Sequence, residues 1–321
     1  INIPLRGGGE PKKPKGRYMN VMRAQPIVLA GMLALLFVLW ARPSQAASPM
    51  QVTVSILPQA YFAKKIAKNL AKVSVMVPRG SSPATYEPRP SQMADLTRAT
   101  LYFAIGVPFE AAWLHKFARM NPHMRIVHTD KGIQKRTLST HLHQKTTDHP
   151  PSASSVLPGT DPHIWLSPHL VKKIARNMAD GFTQADPEHR QQYENNLKSF
   201  EMELDRLDHR IRAMLNDGKR KRSVFLVFHP SWGYFADQYG LKQVPMEVEG
   251  KSPSAMEMVR LTRYAGEMGI ERIFVQPQFS KKRVEAMARQ MGASVVTADP
   301  LNEDWEKNLL HVARQFKQAL D

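Results

Sequence analysis

Two histidines and an aspartate lie where α/β proteins commonly place ligand-binding groups. His229 directly follows the apolar run VFLVF, and Asp299 directly follows SVVTA. His163 lies in the segment DPHIWLSP, ahead of a further helical stretch. Because open α/β sheets bind ligands outside the carboxyl ends of their strands, we expect these three side chains to meet in one cleft. Two imidazoles and one carboxylate suit zinc and other borderline divalent ions, so the sequence predicts a metal site formed by all three.

Each of these residues also has a purely structural interpretation. A strand-end histidine such as His229 often serves only as a hydrogen-bonded structural group, and His163 is one of 12 histidines. Asp299 precedes Pro300 and fits the capping residue of a turn. The chain has no cysteine, so a metal site is restricted to histidine, carboxylate and other oxygen ligands. It is the combination of the three residues that favours metal binding.

A polar segment at 133–160 precedes His163. It is rich in Ser, Thr, Pro and His and has no hydrophobic period, so we expect a mobile loop. Its histidines are His141, His143 and His149. Such a segment indicates either a metal-collecting arm or an accidental cluster in a solvated linker, and the sequence leaves both open.

Strand-like and helix-like runs alternate along the rest of the chain, which predicts parallel sheets built from βαβ units. Between two such regions, 187–216 forms one continuous helical pattern with apolar residues at spacings of three and four. We therefore expect an α/β fold of two Rossmann-like lobes with parallel-rich sheets, joined by a long rigid connecting helix. No sequence repeat relates the two halves. The predicted boundaries are a leader at 1–46, an amino-terminal lobe at 47–182, the connecting helix at 183–217 and a carboxy-terminal lobe at 218–321.

The leader has the order of a secretory signal peptide. A cluster of Lys and Arg is followed by the apolar run Ile27–Trp40 and then by small residues around Ala46. A permanent anchor is the alternative, but such a span needs about 20 apolar residues. We therefore expect translation to start at Met19 or Met22, cleavage near Ala46, and a periplasmic protein.

The net charge of +17 raises the question of nucleic-acid binding. The export signal and the lack of an interleaved basic and aromatic cluster argue against it. We expect a solvated basic surface on a monomeric protein that binds no nucleic acid.

Six segments occur along the chain in a specific order: SSPATYEPRPSQM, GVPFEAAWL, DPHIWLSP, FHPSWGYFADQYGL, FVQPQFS and TADPL. Together they resemble the zinc and manganese branch of ABC-transporter solute-binding proteins, over about residues 50–320. That family has two α/β domains joined by a long helix. Many of its zinc-type members carry a His- and acid-rich loop where this chain has 133–160.

The resemblance implies that His163, His229 and Asp299 are metal ligands. The family's first histidine does not carry over, because the position two residues before Tyr86 is Ala84. The glutamate often found before PQFS is likewise Gln276. Three protein ligands leave one position open on a tetrahedral ion. The candidates to fill it are a water molecule, His141, His143, His149, Glu87 and Glu249.

We therefore expect an extracytoplasmic receptor that performs no chemistry. It would capture Zn²⁺, or Mn²⁺ or another divalent metal, and deliver it to an ABC permease in the cytoplasmic membrane. One alternative is a receptor for a metal chelate or an organic ligand in the same fold. The aromatic candidates for lining such a pocket are Trp165, Tyr86, Trp232 and Tyr234. A secreted metallohydrolase is a further alternative, but the sequence has no general-base motif of the HExxH kind.

Overall fold

The computed structural model describes residues 1–3, 7–13, 16, 48–138, 159–247 and 251–321. Residues 1–48 and 49–321 separate into two compact units, and the second contains all the elements described below. The signal peptide expected before Ala46 lies almost wholly outside the described residues. Within the described ranges, no helix combines the length and the apolar character that crossing a bilayer requires.

Four parallel strands form the first sheet, in the order β2-β1-β3-β4. They are β1 (Met50–Val54), β2 (Ala71–Val75), β3 (Leu101–Ala104) and β4 (Arg125–His128). The intervening helices are α1 (Leu57–Ala67), α2 (Pro90–Leu96) and α3 (Pro108–Met120). Each helix has a proline in its first turn, where the missing amide hydrogen is not needed.

Two helices then lead to the second sheet, namely α4 (Pro168–Ala185) and α5 (Arg190–Leu215). A 3₁₀ turn precedes each of them, at Ile164–Leu166 and Pro187–His189. Helix α5 is the long helix predicted at 187–216, and its 26 residues span about 39 Å. Its buried stripe repeats every three or four residues and consists of Tyr193, Asn196, Phe200, Leu204, Leu207, Ile211 and Leu215.

The second sheet has the strand order β6-β5-β7-β8, which is the order of the first sheet. Its strands are β5 (Val224–Val227), β6 (Lys242–Pro245), β7 (Arg272–Val275) and β8 (Ser294–Thr297). Its helices are α6 (Gly233–Gln238), α7 (Ala255–Glu267), α8 (Lys281–Gln290) and α9 (Trp305–Leu320). The two lobes therefore share a topology although no sequence repeat relates them.

One continuous apolar core joins both lobes around α5, which packs against α1, α4 and α9. A smaller core fills the opposite face of the second sheet, beneath α7 and α8. At the joint between the lobes, the rings of Trp305 and Phe62 meet edge to face with centroids 5.0 Å apart. The Trp305 indole N–H donates to the Trp165 carbonyl at 2.8 Å, and the Trp165 indole N–H donates to the Pro300 carbonyl at 2.7 Å.

The predicted α/β architecture, with two parallel sheets and a long helix, is confirmed. The exact division of the chain into a leader, two lobes and a connecting segment stays a prediction.

Candidate metal centre

The second sheet places His229 at its topological switch point. His229 lies two residues beyond β5, and Gln276 directly follows the neighbouring strand β7. The Gln276 side-chain amide donates to the His229 carbonyl at 2.8 Å, while the His229 amide donates to the Gln276 side-chain oxygen at 3.4 Å. Because connections leave β5 and β7 on opposite sides, a crevice opens at their carboxyl ends, where ligands bind in such folds.

The structure brings His163 to this crevice from the first lobe. The ring centroids of His163 and His229 are 5.2 Å apart, with an angle of 71° between their planes. Two imidazoles bound to one tetrahedral zinc through nitrogens at about 2.1 Å have their centroids about 5 Å apart. The two rings are therefore spaced as a pair of ligands to one ion.

A buried carboxylate holds each histidine from behind. Asp161 Oδ1 lies 2.8 Å from His163 Nδ1, and Glu247 Oε1 lies 2.5 Å from His229 Nδ1. A carboxylate only accepts hydrogen bonds, so Nδ1 carries the hydrogen and Nε2 keeps its lone pair for a metal. Carboxylates in this outer position fix the orientation of a ligating histidine and increase its basicity.

Burial favours the neutral, metal-binding form of His163. It lowers the pKa of this imidazole, and the hydrogen bond from Nδ1 to Asp161 opposes that effect only in part. A neutral ring needs no proton release before it binds an ion.

A polar network ties this half of the site to the second lobe. The backbone amide of Arg136 donates to the Tyr234 hydroxyl at 2.9 Å, and that hydroxyl donates to the Asp161 carbonyl at 2.9 Å. The Arg136 guanidinium lies 2.7 Å from Asp237 Oδ2 and 3.8 Å from Asp161 Oδ2. Burial raises the pKa of Tyr234 to about 12, so the hydroxyl stays protonated and keeps donating.

Asp299 is not among the described residues that line the cleft with the two histidines. It follows β8 by two residues, and its Oδ1 accepts the Leu301 amide at 2.9 Å. Its neighbours Pro300 and Leu301 line the cleft with both histidines. Within the described ranges, no three His, Asp or Glu side chains are grouped closely enough to hold one ion. Ligation by Asp299 therefore stays a prediction.

The other candidate ligands differ in their positions relative to the cleft. Ala84 lines the cleft, whereas Glu87 is exposed and does not. The residues that fall outside the described ranges are His141, His143, His149 and Glu249. Of the four aromatic candidates, only Trp165 lines the cleft. Trp232 is fully buried in the core.

Asp161 and Glu247 are functional residues that the sequence patterns did not predict. Asp161 could have been noticed from its position two residues before His163 in the DPH segment. Glu247 follows β6, the strand adjacent to β5, and so lies at the same edge of the sheet as His229. That adjacency is a property of the strand order, which the sequence does not display.

Two parallel-sheet lobes, a long connecting helix and a pair of imidazoles in the intervening cleft define the metal-receptor class of solute-binding proteins. Residues 52–319 match the family model described as the periplasmic component A of the zinc-uptake complex, ZnuA. The chain therefore belongs to this family, as the resemblance predicted. Receptors of the family are extracytoplasmic, bind metal and work with ABC permease and ATPase components.

Characterised relatives and solved structures agree with this assignment. The chain is 29% identical over 280 residues to the high-affinity zinc uptake system protein ZnuA of Bacillus subtilis, covering 85% of this chain and 86% of the relative. It is 25% identical over 291 residues to the zinc-binding lipoprotein AdcA of Streptococcus pneumoniae, covering 89% of this chain but 57% of that longer protein. A crystal structure of a ZnuA is 41% identical with a TM-score of 0.76, covering 85% of this chain and 100% of the other. A zinc-bound deletion mutant of ZnuA is also 41% identical, with a TM-score of 0.77 and coverage of 85% and 98%.

Proposed function

We propose that this protein is a periplasmic receptor that binds Zn²⁺ through His163 and His229 and delivers it to an ABC permease. The observation that supports this most is the pair of facing imidazoles, each held through Nδ1 by a buried carboxylate. Imidazoles whose orientation is fixed by a carboxylate at Nδ1 are the nitrogen ligands that suit zinc in a site without thiolates. Asp299 is the proposed third protein ligand.

The same arrangement supports a binding role rather than a catalytic one. The two carboxylates nearest to the imidazoles are already bonded to their Nδ1 atoms, so they act on the histidines rather than on a substrate. A zinc hydrolase needs a general base that faces the metal-bound water. We therefore propose that the chain takes up and releases metal without transforming a substrate.

Calorimetric titration of metal-stripped protein tests this function. We expect one Zn²⁺ to bind per chain and Mn²⁺ to bind more weakly. Failure to bind any divalent metal would refute the proposal. The variants His163→Ala and His229→Ala should each lose more than the roughly 10–100-fold in affinity that an outer-shell change costs. His311→Ala, at an exposed position on α9, is the matched control and should bind as the wild type does.

Asp299→Asn separates the two interpretations of that residue. A loss of zinc affinity comparable to that of the histidine variants would support ligation. Unchanged affinity would assign the carboxylate to its bond with the Leu301 amide alone.

A further inference from the structure

The cleft beside the two imidazoles is much larger than a metal ion requires. Its volume is about 350 Å³. A water molecule takes about 30 Å³, so there is room for an ion and roughly ten further atoms. Small-molecule sites occupy about 300–1,000 Å³, and this cleft falls at the lower end of that range.

The extra space adjoins Ala84, whose short side chain leaves it open. Pro83 is anchored on one side of this residue, because its carbonyl accepts the Phe109 amide at 3.1 Å. Tyr86 is anchored on the other side, because its hydroxyl donates to Gln92 at 2.5 Å and its ring meets Phe109 edge to face. The loop is thus held at both ends and does not collapse into the space.

The proposed protein ligands do not complete the coordination of a zinc ion. His163 and His229 supply two nitrogens, and Asp299 supplies at most one oxygen. With Asp299 bound, a chelator that binds through two atoms makes the zinc ion five-coordinate, and without Asp299 it makes the ion four-coordinate. The space beside Ala84 belongs to the cleft that both histidine rings line, and the carboxylates Asp161 and Glu247 are already bonded to the Nδ1 atoms of those rings.

We propose that the receptor takes up zinc together with a small chelator, an amino-acid-like molecule whose amine and carboxylate complete the coordination of the metal. This inference rests on the proposed zinc-receptor function and adds the chemical form of the cargo. The lining of the cleft suits such a molecule. The hydroxyls of Ser82 and Thr85 and the amide of Gln278 are neutral donors suited to carboxylate oxygens, and Trp165, Phe279 and Leu301 offer apolar surface.

The size and charge of the proposed ligand follow from these features. A singly charged chelator offsets half of the zinc charge, and neutral donors then suffice for its remaining oxygen. Among the described residues, the cleft is lined by the Glu247 carboxylate and by no lysine or arginine, so a strongly anionic chelator such as citrate fits less well.

Native mass spectrometry of the full mature chain tests the proposal, with isotopically labelled L-histidine as the chelator. Metal-stripped protein is given Zn²⁺ alone, L-histidine alone, or both. We expect a ternary complex of one protein, one zinc and one histidine only when both are present. At a fixed free zinc concentration, histidine should tighten zinc binding about tenfold or more.

The variant Ala84→His provides the decisive comparison, because it places a third imidazole in the same space. We expect it to bind zinc alone more tightly than the wild type and to lose histidine from the complex. The variant Ala84→Ser, which leaves the space open, is the control and should retain the ternary complex. A triple variant, His141→Ala with His143→Ala and His149→Ala, should retain it as well.

Each outcome separates this inference from the proposed function. A binary zinc complex alone, with zinc affinity unaffected by histidine, overturns the chelator and leaves the zinc receptor intact. Loss of zinc binding in the triple variant also overturns it, by assigning the open positions to protein histidines. Absence of zinc in every arm refutes the receptor function itself.

Discussion

The clearest quantitative prediction concerns Glu247, which acts on the metal only through His229. Its Oε1 lies 2.5 Å from His229 Nδ1, and its side chain is 4% exposed. Replacing an outer-shell carboxylate of this kind typically lowers metal affinity about 10–100-fold, or roughly 1.4–2.7 kcal/mol. In Glu247→Gln the side-chain oxygen can still accept the Nδ1 hydrogen, so orientation survives while the negative charge is lost. We therefore expect a loss of about tenfold for this variant and a loss near the upper limit for Glu247→Ala.

Competition against a fluorescent zinc chelator at pH 7.5 measures these losses. The control is Glu203→Gln on helix α5, which breaks an ion pair with Lys65 of helix α1 and leaves the cleft untouched. Thermal unfolding in EDTA establishes whether the apo protein is intact, and we expect Glu247→Gln to unfold at the wild-type temperature. If both Glu247 variants bound zinc within twofold of the wild type, the proposed role of Glu247 in supporting His229 would be refuted.

Three further predictions concern the pH dependence of stability, the contact between the lobes, and the stabilisation of the fold by bound zinc. Burial lowers the pKa of His163 in the folded state, so the unfolded chain binds a proton on this residue more readily. The apo protein should therefore lose stability as the pH falls below about 6.5. In His163→Gln the free energy of unfolding in urea should depend less on pH between pH 7.5 and 5, and an unchanged pH dependence would contradict this. Trp305→Phe leaves the buried Trp165 carbonyl without its donor and should lower the free energy of unfolding of the apo protein by about 1–3 kcal/mol. It should also speed zinc release in stopped-flow experiments. The control Trp113→Phe, at a half-buried position, should change neither the stability nor the release rate. Zinc at 100 times its Kd should stabilise the wild type by about 2.7 kcal/mol, raising Tm by several degrees, and His229→Ala should show no such rise.

The sequence was sufficient to predict the positions of His163 and His229, because chemistry in an α/β fold is confined to strand ends and the turns after them. The long helix was equally predictable, since its apolar stripe runs from Tyr193 to Leu215 without interruption by Gly or Pro. Strand limits are harder to predict, because a polar residue at the end of an apolar run can still pair in the ladder, as Gln51 does with Lys72. Local patterns specify which face of an element is buried more strongly than they specify its last residue.

The supporting carboxylates could not be predicted in the same way. Glu247 follows β6, and the sequence does not show that β6 lies beside β5. Glu249, the carboxylate that the sequence did offer as a candidate ligand, lies outside the described residues. Only the strand order, which is set by packing across the whole sheet, brings the Glu247 carboxyl to the His229 ring.

The hydrogen-bonded indoles of Trp165 and Trp305, at the contact between the lobes, affect how the metal is released. Trp165 and Trp305 link the lobes through successive hydrogen bonds, and both rings are fully buried. Parting the lobes breaks two bonds worth about 1 kcal/mol each and wets apolar surface, so a spontaneously gaping form occupies about 1% of molecules or less. If the protein carries zinc as proposed, we expect the metal to leave slowly in free solution and faster when another protein separates the lobes. The rate of release would then be set by the importer rather than by the receptor.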